Sequence, residues 1–119
     1  MNEIILKEKF KKIDDYWDPK IVGEVNDMYV KIAKIKGEFE FHTHPEYDEL
    51  FYVVKGEITM HYSESESKLK EGEMVIVPHG VKHRPAAQEE AHIMMFESKE
   101  TLNTGDQENK HTRKKLDWI

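Results

Sequence analysis

Between residues 28 and 98 the chain is written in short apolar runs, each stopped by glycine, proline or a polar turn, and that punctuation leaves little choice of architecture. M-Y-V-K-I-A-K-I (28–35) alternates, with Met28, Val30 and Ile32 on one face. Alternation with period two marks a half-buried strand. E-F-E-F-H-T-H (38–44) continues the sheet after Gly37. L-F-Y-V-V (50–54), Lys55-Gly56 and E-I-T-M-H-Y (57–62) read as a hairpin. After the polar S-E-S-E-S tract (63–67) and the Glu71-Gly72 turn comes E-M-V-I-V (73–77), apolar enough to predict a strand buried on both faces. A-H-I-M-M-F-E (91–97) is a further strand. Many short strands between Gly and Pro turns predict an all-β sandwich or barrel.

The flanks differ. Over residues 3–17, Leu6, Phe10, Ile13 and Trp17 recur at helical spacing, so a short N-terminal helix is expected, ended by Asp18-Pro19. Residues 99–119 are a polar tail with a turn at Asn103 to Asp106, until Leu116, Trp118 and Ile119, which are expected to dock on the barrel or on a neighbour. No repeat or linker divides the chain, and 119 residues suit a single domain, 1–119, with its barrel core at about 28–98.

Two blocks carry the chemistry: H-T-H-P-E-Y-D-E (42–49) and P-H-G-V-K-H (78–83). His42 and His44 are two apart, so in a strand both rings reach one side. Glu49 shares parity with Phe51 and Val53 at the start of the next strand, and His83 follows the turn at Pro78 to Gly80. Three imidazoles and a carboxylate are a ligand set for one divalent transition metal: manganese, iron, nickel or zinc, with copper less favoured. Asp48 has the opposite parity and is expected to face solvent, while Glu46 and His79 read as loop and turn residues.

These blocks resemble the paired motifs of the cupin family. The first motif falls on Gly37, His42, His44, Glu49 and Gly56, the second on Gly72, Pro78, Gly80 and His83. Gly37 lies one residue closer to His42 than the pattern asks, and Ala87 stands where the family usually has asparagine. The resemblance implies a double-stranded β-helix, the jelly-roll barrel, with His42, His44, Glu49 and His83 on the metal. The surrounding sequence is similar to small stand-alone cupins, some labelled mannose-6-phosphate isomerase-like, a label that rests on fold analogy.

A barrel open at one end offers an apolar pocket with a few polar groups. Phe51 is expected to line it. On the late strand His92, Met94 and Phe96 form one face, Ile93 and Met95 the other. If the first face is inward, Met94 and Phe96 line the pocket and His92 is a candidate proton carrier; otherwise His92 is a rim residue. An octahedral ion with four protein ligands keeps two positions for a substrate with two oxygens. That chemistry serves isomerases, lyases and dioxygenases alike. The expectation is a metal-dependent enzyme on a small oxygen-chelating substrate, or else a non-catalytic binding or structural module. Arg84 lies next to His83, and parity aims it away from His83, which disfavours a sugar phosphate.

Composition sets outer bounds. No cysteine is present, so disulfides and thiolate metal sites are excluded. A net charge of −6 argues against a nucleic-acid surface or an anionic membrane as partner. No stretch of about 18 apolar residues is found, and the charged N-terminus does not read as a signal peptide, so a cytoplasmic location is expected. The Leu6/Phe10/Ile13/Trp17 stripe and the apolar C-terminus predict a homodimer.

Overall fold

The computed structural model covers residues 1–119. A single helical turn and a half, α1 (Leu6–Phe10), precedes strands β1 (Lys20–Val25), β2 (Met28–Glu38), β3 (Glu49–Lys55), β4 (Glu57–Tyr62), β5 (Glu66–Lys70), β6 (Met74–Val77) and β7 (His83–Ser98). All pairings between strands are antiparallel. Hydrogen-bonded neighbours run β1-β2-β7-β3-β6, and β4 joins β5 to β7. The hinge of the barrel is β7. Its first residues, His83 to Ala86, pair with β4, and its later ones, from Ala91 onward, lie between β2 and β3. This seven-stranded sheet curls around one core that includes Ile35, Phe51, Val53, Met60 and Ile93. No helix is long and apolar enough to cross a membrane.

Several sequence expectations need correction. The helical stripe yields only five helical residues. Phe10 and Ile13 are nonetheless buried, on the outer face of the sheet against Val22 and Ile32. Trp17 leaves helical geometry altogether, with φ 59°, and stacks on Phe39 at 4.9 Å. Burial of the apolar side chains, reached through an irregular chain, outweighs helical periodicity in so short a segment.

The β3–β4 hairpin does not form: β3 pairs with β6 and β7, β4 with β5 and β7. Gly56, at φ +88°, carries the chain from β3 to β4 on different stretches of β7, and a Cβ there would sit 3.2 Å from the Glu90 carbonyl oxygen and the Ala91 Cβ. Residues 39–44 are not a strand; the His42–His83 bridge and a bond from Phe39 N–H to the Pro85 carbonyl at 3.1 Å tie them to β7. Strand β6 is not buried on both faces but lies at the sheet edge, with Met74 and Ile76 more than half exposed.

The apolar C-terminus docks within the chain. Ile21 N–H donates to the Asp117 carbonyl at 2.9 Å, Ile119 N–H donates to the Ile21 carbonyl at 3.0 Å, and Ile119 packs on the Phe10/Ile13 cluster. The residues that motivated a homodimer are thus largely used internally.

Candidate metal centre

His42, His44, Glu49 and His83 meet at one end of the barrel, all buried, with one ligand atom from each lying within 4.8 Å of the others. Backbone geometry explains why. The His42–His83 bridge closes with two hydrogen bonds, His42 N–H to the His83 carbonyl at 3.0 Å and His83 N–H to the His42 carbonyl at 2.9 Å. The Pro78–Gly80 turn reaches back, Gly80 N–H donating to the His44 carbonyl at 2.9 Å. Glu49 opens β3, and its side chain projects to the same side as Phe51 and Val53.

The rings are oriented for ligation. His42 Nδ1 lies 2.9 Å from the Glu40 carbonyl and His83 Nδ1 lies 2.8 Å from the Val81 carbonyl. A carbonyl only accepts, so each Nδ1 carries the proton and each Nε2 lone pair is free. Such backbone contacts fix the tautomer of a metal-binding imidazole. Glu49 Oε1 sits 3.1 Å from His44 Nε2 and 3.3 Å from His83 Nε2. His44 Nε2 is buried and has no aligned hydrogen-bond partner. An orphaned imidazole nitrogen facing two other imidazoles and a carboxylate fits a cation better than it fits a protein-only core.

Electrostatics keep the set in ligating form. Burial pushes the His42 imidazole down to about 4, and the neighbouring His83 pushes the same way against the pull of the Glu40 carbonyl. His42 is therefore neutral at pH 7. Burial would raise the Glu49 carboxyl, but the hydrogen bond from Glu97, with the His44 and His83 imidazoles beside it, overcomes it and holds Glu49 well below the usual carboxylate range.

Glu97 was not singled out from the sequence. It is buried on β7, and Lys31 Nζ, also buried, donates to its Oε1 at 2.7 Å. Burial pushes the Glu97 carboxyl well up, and the charge on Glu49 adds to this against the pull of Lys31. Two touching buried carboxyls share one proton, and here Glu97 holds it. Its signal was available: Glu97 shares parity with Ile93 and Met95, and Lys31 with Ala33 and Ile35, both being inward faces.

That parity also settles the late strand. Ile93 and Met95 line the cavity with Phe51. The Met94 side chain instead packs with the Phe10/Ile13 cluster, and Phe96 shares its outer face, so neither lines the pocket. His92 also points outward, stacked on Phe10 at 4.4 Å with Nε2 2.8 Å from Glu90. It is not beside the cluster. The inward face went to Ile93 and Met95, which are continuous with the core, while the outward His92 and Met94 are covered by the N-terminal segment. Asp48 is exposed and accepts from His79 N–H and faces His79 Nδ1, both at 2.9 Å. Arg84 pairs with Glu38 at 3.2 Å, away from the ligands.

The cavity beside the cluster holds about 40 Å³, room for only a few waters. Its walls are largely apolar, Trp17, Phe39, Phe51 and Met95 among them, and no lysine or arginine lines it. The tail roofs it. Asp106 N–H donates to the Thr43 carbonyl and Thr43 N–H donates to Asp106 Oδ1, both at 2.9 Å. Gly105, at φ +57°, lies so close that a Cβ would fall 2.4 Å from the Thr43 oxygen and 2.9 Å from His42 Cδ2. His111 stacks on Phe39 and bonds Glu40 Oε2 at 2.8 Å. The sequence marked residues 103–106 as a turn, but not its position over the site.

The cupin domain family matches residues 28–98. A curated relative, the uncharacterized protein YdbB of Bacillus subtilis (strain 168), is 39% identical over 64 residues, a match spanning 53% of this chain and 57% of that protein. Among solved structures, a cupin-2 domain containing protein from Shewanella frigidimarina NCIMB 400 is 36% identical with TM-score 0.80, covering 81% of this chain and 94% of that one. Protein NMB1881 from Neisseria meningitidis is 28% identical with TM-score 0.74, covering 82% and 99% respectively.

Proposed function

The chain belongs to the cupin domain family, and on that premise we propose that it binds one divalent transition metal (manganese, iron, nickel or zinc) and acts as a metal-dependent enzyme on a small oxygen-chelating substrate. One observation carries this: four buried donor atoms within 4.8 Å, beside a cavity, with His44 Nε2 left without a hydrogen bond. His42, His44, Glu49 and His83 would hold the ion. When bound, it would supply Lewis acidity to a carbonyl or enediol oxygen, or the iron of an oxygenase.

The chain's own groups have separate tasks. The Glu40 and Val81 carbonyls hold the His42 and His83 rings with Nε2 presented inward. Glu49 stays ionised while Glu97 keeps a proton beside it. Phe39, Phe51 and Met95 exclude water and strengthen every charge interaction in the site. The want of a cation in the lining argues for substrates without phosphate, in the isomerase, lyase or dioxygenase classes. The small cavity under its roof favours the second reading, a non-catalytic module for a small ligand.

Elemental analysis of protein purified without chelator or affinity nickel tests the metal; about one equivalent per chain is expected. Oxalate titrated by calorimetry should then bind metal-loaded protein and not the apo form. Equal affinity for both forms would move recognition from the metal to the pocket. Turnover of a panel of 2-oxo acids, enediols and catechols by the loaded protein separates enzyme from binding module.

A further inference from the structure

The tail over the cavity is joined to itself more firmly than to the barrel. Both its ends are pinned to the β1–β2 hairpin. Lys99 N–H donates to the Asp27 carbonyl at 3.0 Å, and Asp117 and Ile119 bond the two backbone groups of Ile21. Between those pins, residues 100–116 hold no strand and give the core no fully buried apolar side chain. Polar groups of the loop itself set its shape. The Asn103 side chain donates to the His111 carbonyl at 2.8 Å and accepts from Arg113 N–H at 2.9 Å, and the Thr104 and Thr112 hydroxyls meet at 2.7 Å. These stitches run from one arm of the loop to the other, so the loop is built to move as one body.

Its hold on the barrel is polar and small by comparison. Asp106 makes the two bonds to the Thr43 backbone, and His111 bonds Glu40 and stacks on Phe39. The Arg113–Asp18 contact is long, at 3.6 Å. Few buried apolar contacts and mostly surface hydrogen bonds put a segment at the low end of local stability. Strands β2 and β7, by contrast, are paired along most of their length.

Closed, the loop leaves no way in. His42, His44, Glu49 and His83 are at most 4% exposed, and Gly105 packs so tightly on His42 and Thr43 that not even a methyl group fits between them. The space behind holds a few waters. A metal ion and a chelating ligand together need more than that. We propose that residues 100–116 are an autoinhibitory lid: the closed loop bars the metal centre, and it swings out on its two pins to admit what binds there. Closed lid and bound ligand then compete, and apparent affinity is reduced by the fraction of chains that are closed. What enters rests on the chelating function proposed above; the lid itself does not.

Acylation of histidine by diethyl pyrocarbonate tests the lid without metal or substrate. Apo wild type, Asp106→Ala and Glu108→Ala are treated at about pH 7, and modified peptides are followed by mass spectrometry. Asp106 carries the carboxylate that accepts from Thr43 N–H, whereas Glu108 is an exposed acid that pairs with Lys114 of the same loop. Asp106→Ala should speed modification of the His42/His44 peptide about tenfold, the worth of one charge-assisted hydrogen bond. Glu108→Ala should match wild type, and His79, 63% exposed on its own turn, should react equally in all three. The proposal falls if wild type modifies His42 and His44 as fast as His79, if Asp106→Ala changes nothing, or if Glu108→Ala accelerates as much. Amide exchange that quickens in β2 and β7 of Asp106→Ala would also overturn it, as general unfolding. In metal-loaded protein, oxalate should bind Asp106→Ala about tenfold more tightly than wild type. Weaker binding would mean that the loop closes onto the ligand, and autoinhibition is wrong. Faster acylation with no oxalate binding in any variant would retain the lid and refute the chelating function.

Discussion

Replacing Glu97 by glutamine and by leucine should have very unequal consequences, because this buried acid is read as neutral. Glu97 is 1% exposed, with Lys31 Nζ at 2.7 Å and the Glu49 carboxylate beside it. With its proton on, Glu97 accepts from Lys31 and donates to Glu49. Glutamine offers the same acceptor and the same donor in nearly the same volume. Glu97→Gln is therefore expected within about 1 kcal/mol of wild type, the net worth of one hydrogen bond. Glu97→Leu strips the Lys31 ammonium of its close partner and leaves it only the Thr101 carbonyl at 3.5 Å. Breaking a buried pair from one side costs about 3–5 kcal/mol. For a chain of this size that lowers the melting temperature by roughly 10–20 °C. Calorimetric melts of metal-free protein at pH 7.5 measure both. Equal melting temperatures for the two variants would refute the reasoning. If both fall far, Glu97 is ionised and its charge, not its proton, supports Lys31; if neither falls, the pair contributes nothing. Adding Lys31→Met to Glu97→Leu should recover most of the loss, since an apolar pair of similar volume replaces a buried polar one.

Other outcomes follow from the same geometry. His83→Ala should reduce bound metal per chain at least tenfold in elemental analysis, while the barrel still folds, as a melt will show. Apo protein should lose about 3 kcal/mol of stability between pH 6.5 and pH 4, measured by urea titration. The folded His42 titrates near 4 and the unfolded one near 6.5, so only the unfolded chain takes up that proton in this window, and stability falls as pH falls. A flat profile would contradict the neutral His42. Gly105→Ala places a Cβ 2.4 Å from the Thr43 oxygen at φ +57°, a conformation costing non-glycine residues about 1 kcal/mol or more. Amide protection should drop over residues 101–113 and hold in β2 and β7; unchanged protection over the tail would show that it does not rest on Thr43 as described.

The sequence alone determined what depends on short-range pattern. Strand periodicity and Gly/Pro turns specified an all-β chain, because alternate side chains of a strand face opposite ways wherever the strand ends up. The ligand quartet was legible for the same reason: residue type and spacing are chemical facts that survive any topology consistent with the turns. Tertiary structure decided the partners. Whether 50–54 pairs with 57–62 or with a strand farther along depends on which arrangement buries Phe51 and Val53 in common with Ile93, and no local pattern contains that. The run 73–77 reads as doubly buried, yet it became an edge strand, since burial belongs to the neighbours a strand acquires and not to its own composition. The inward turn of Ile93, Met95 and Glu97 was set by the registry of β7 between β2 and β3, where a slip of one residue would exchange the two faces. Glu97 and Lys31 were hidden by that ambiguity: each is an ordinary surface charge in sequence, and only closing the barrel removed both from water and set them behind Glu49.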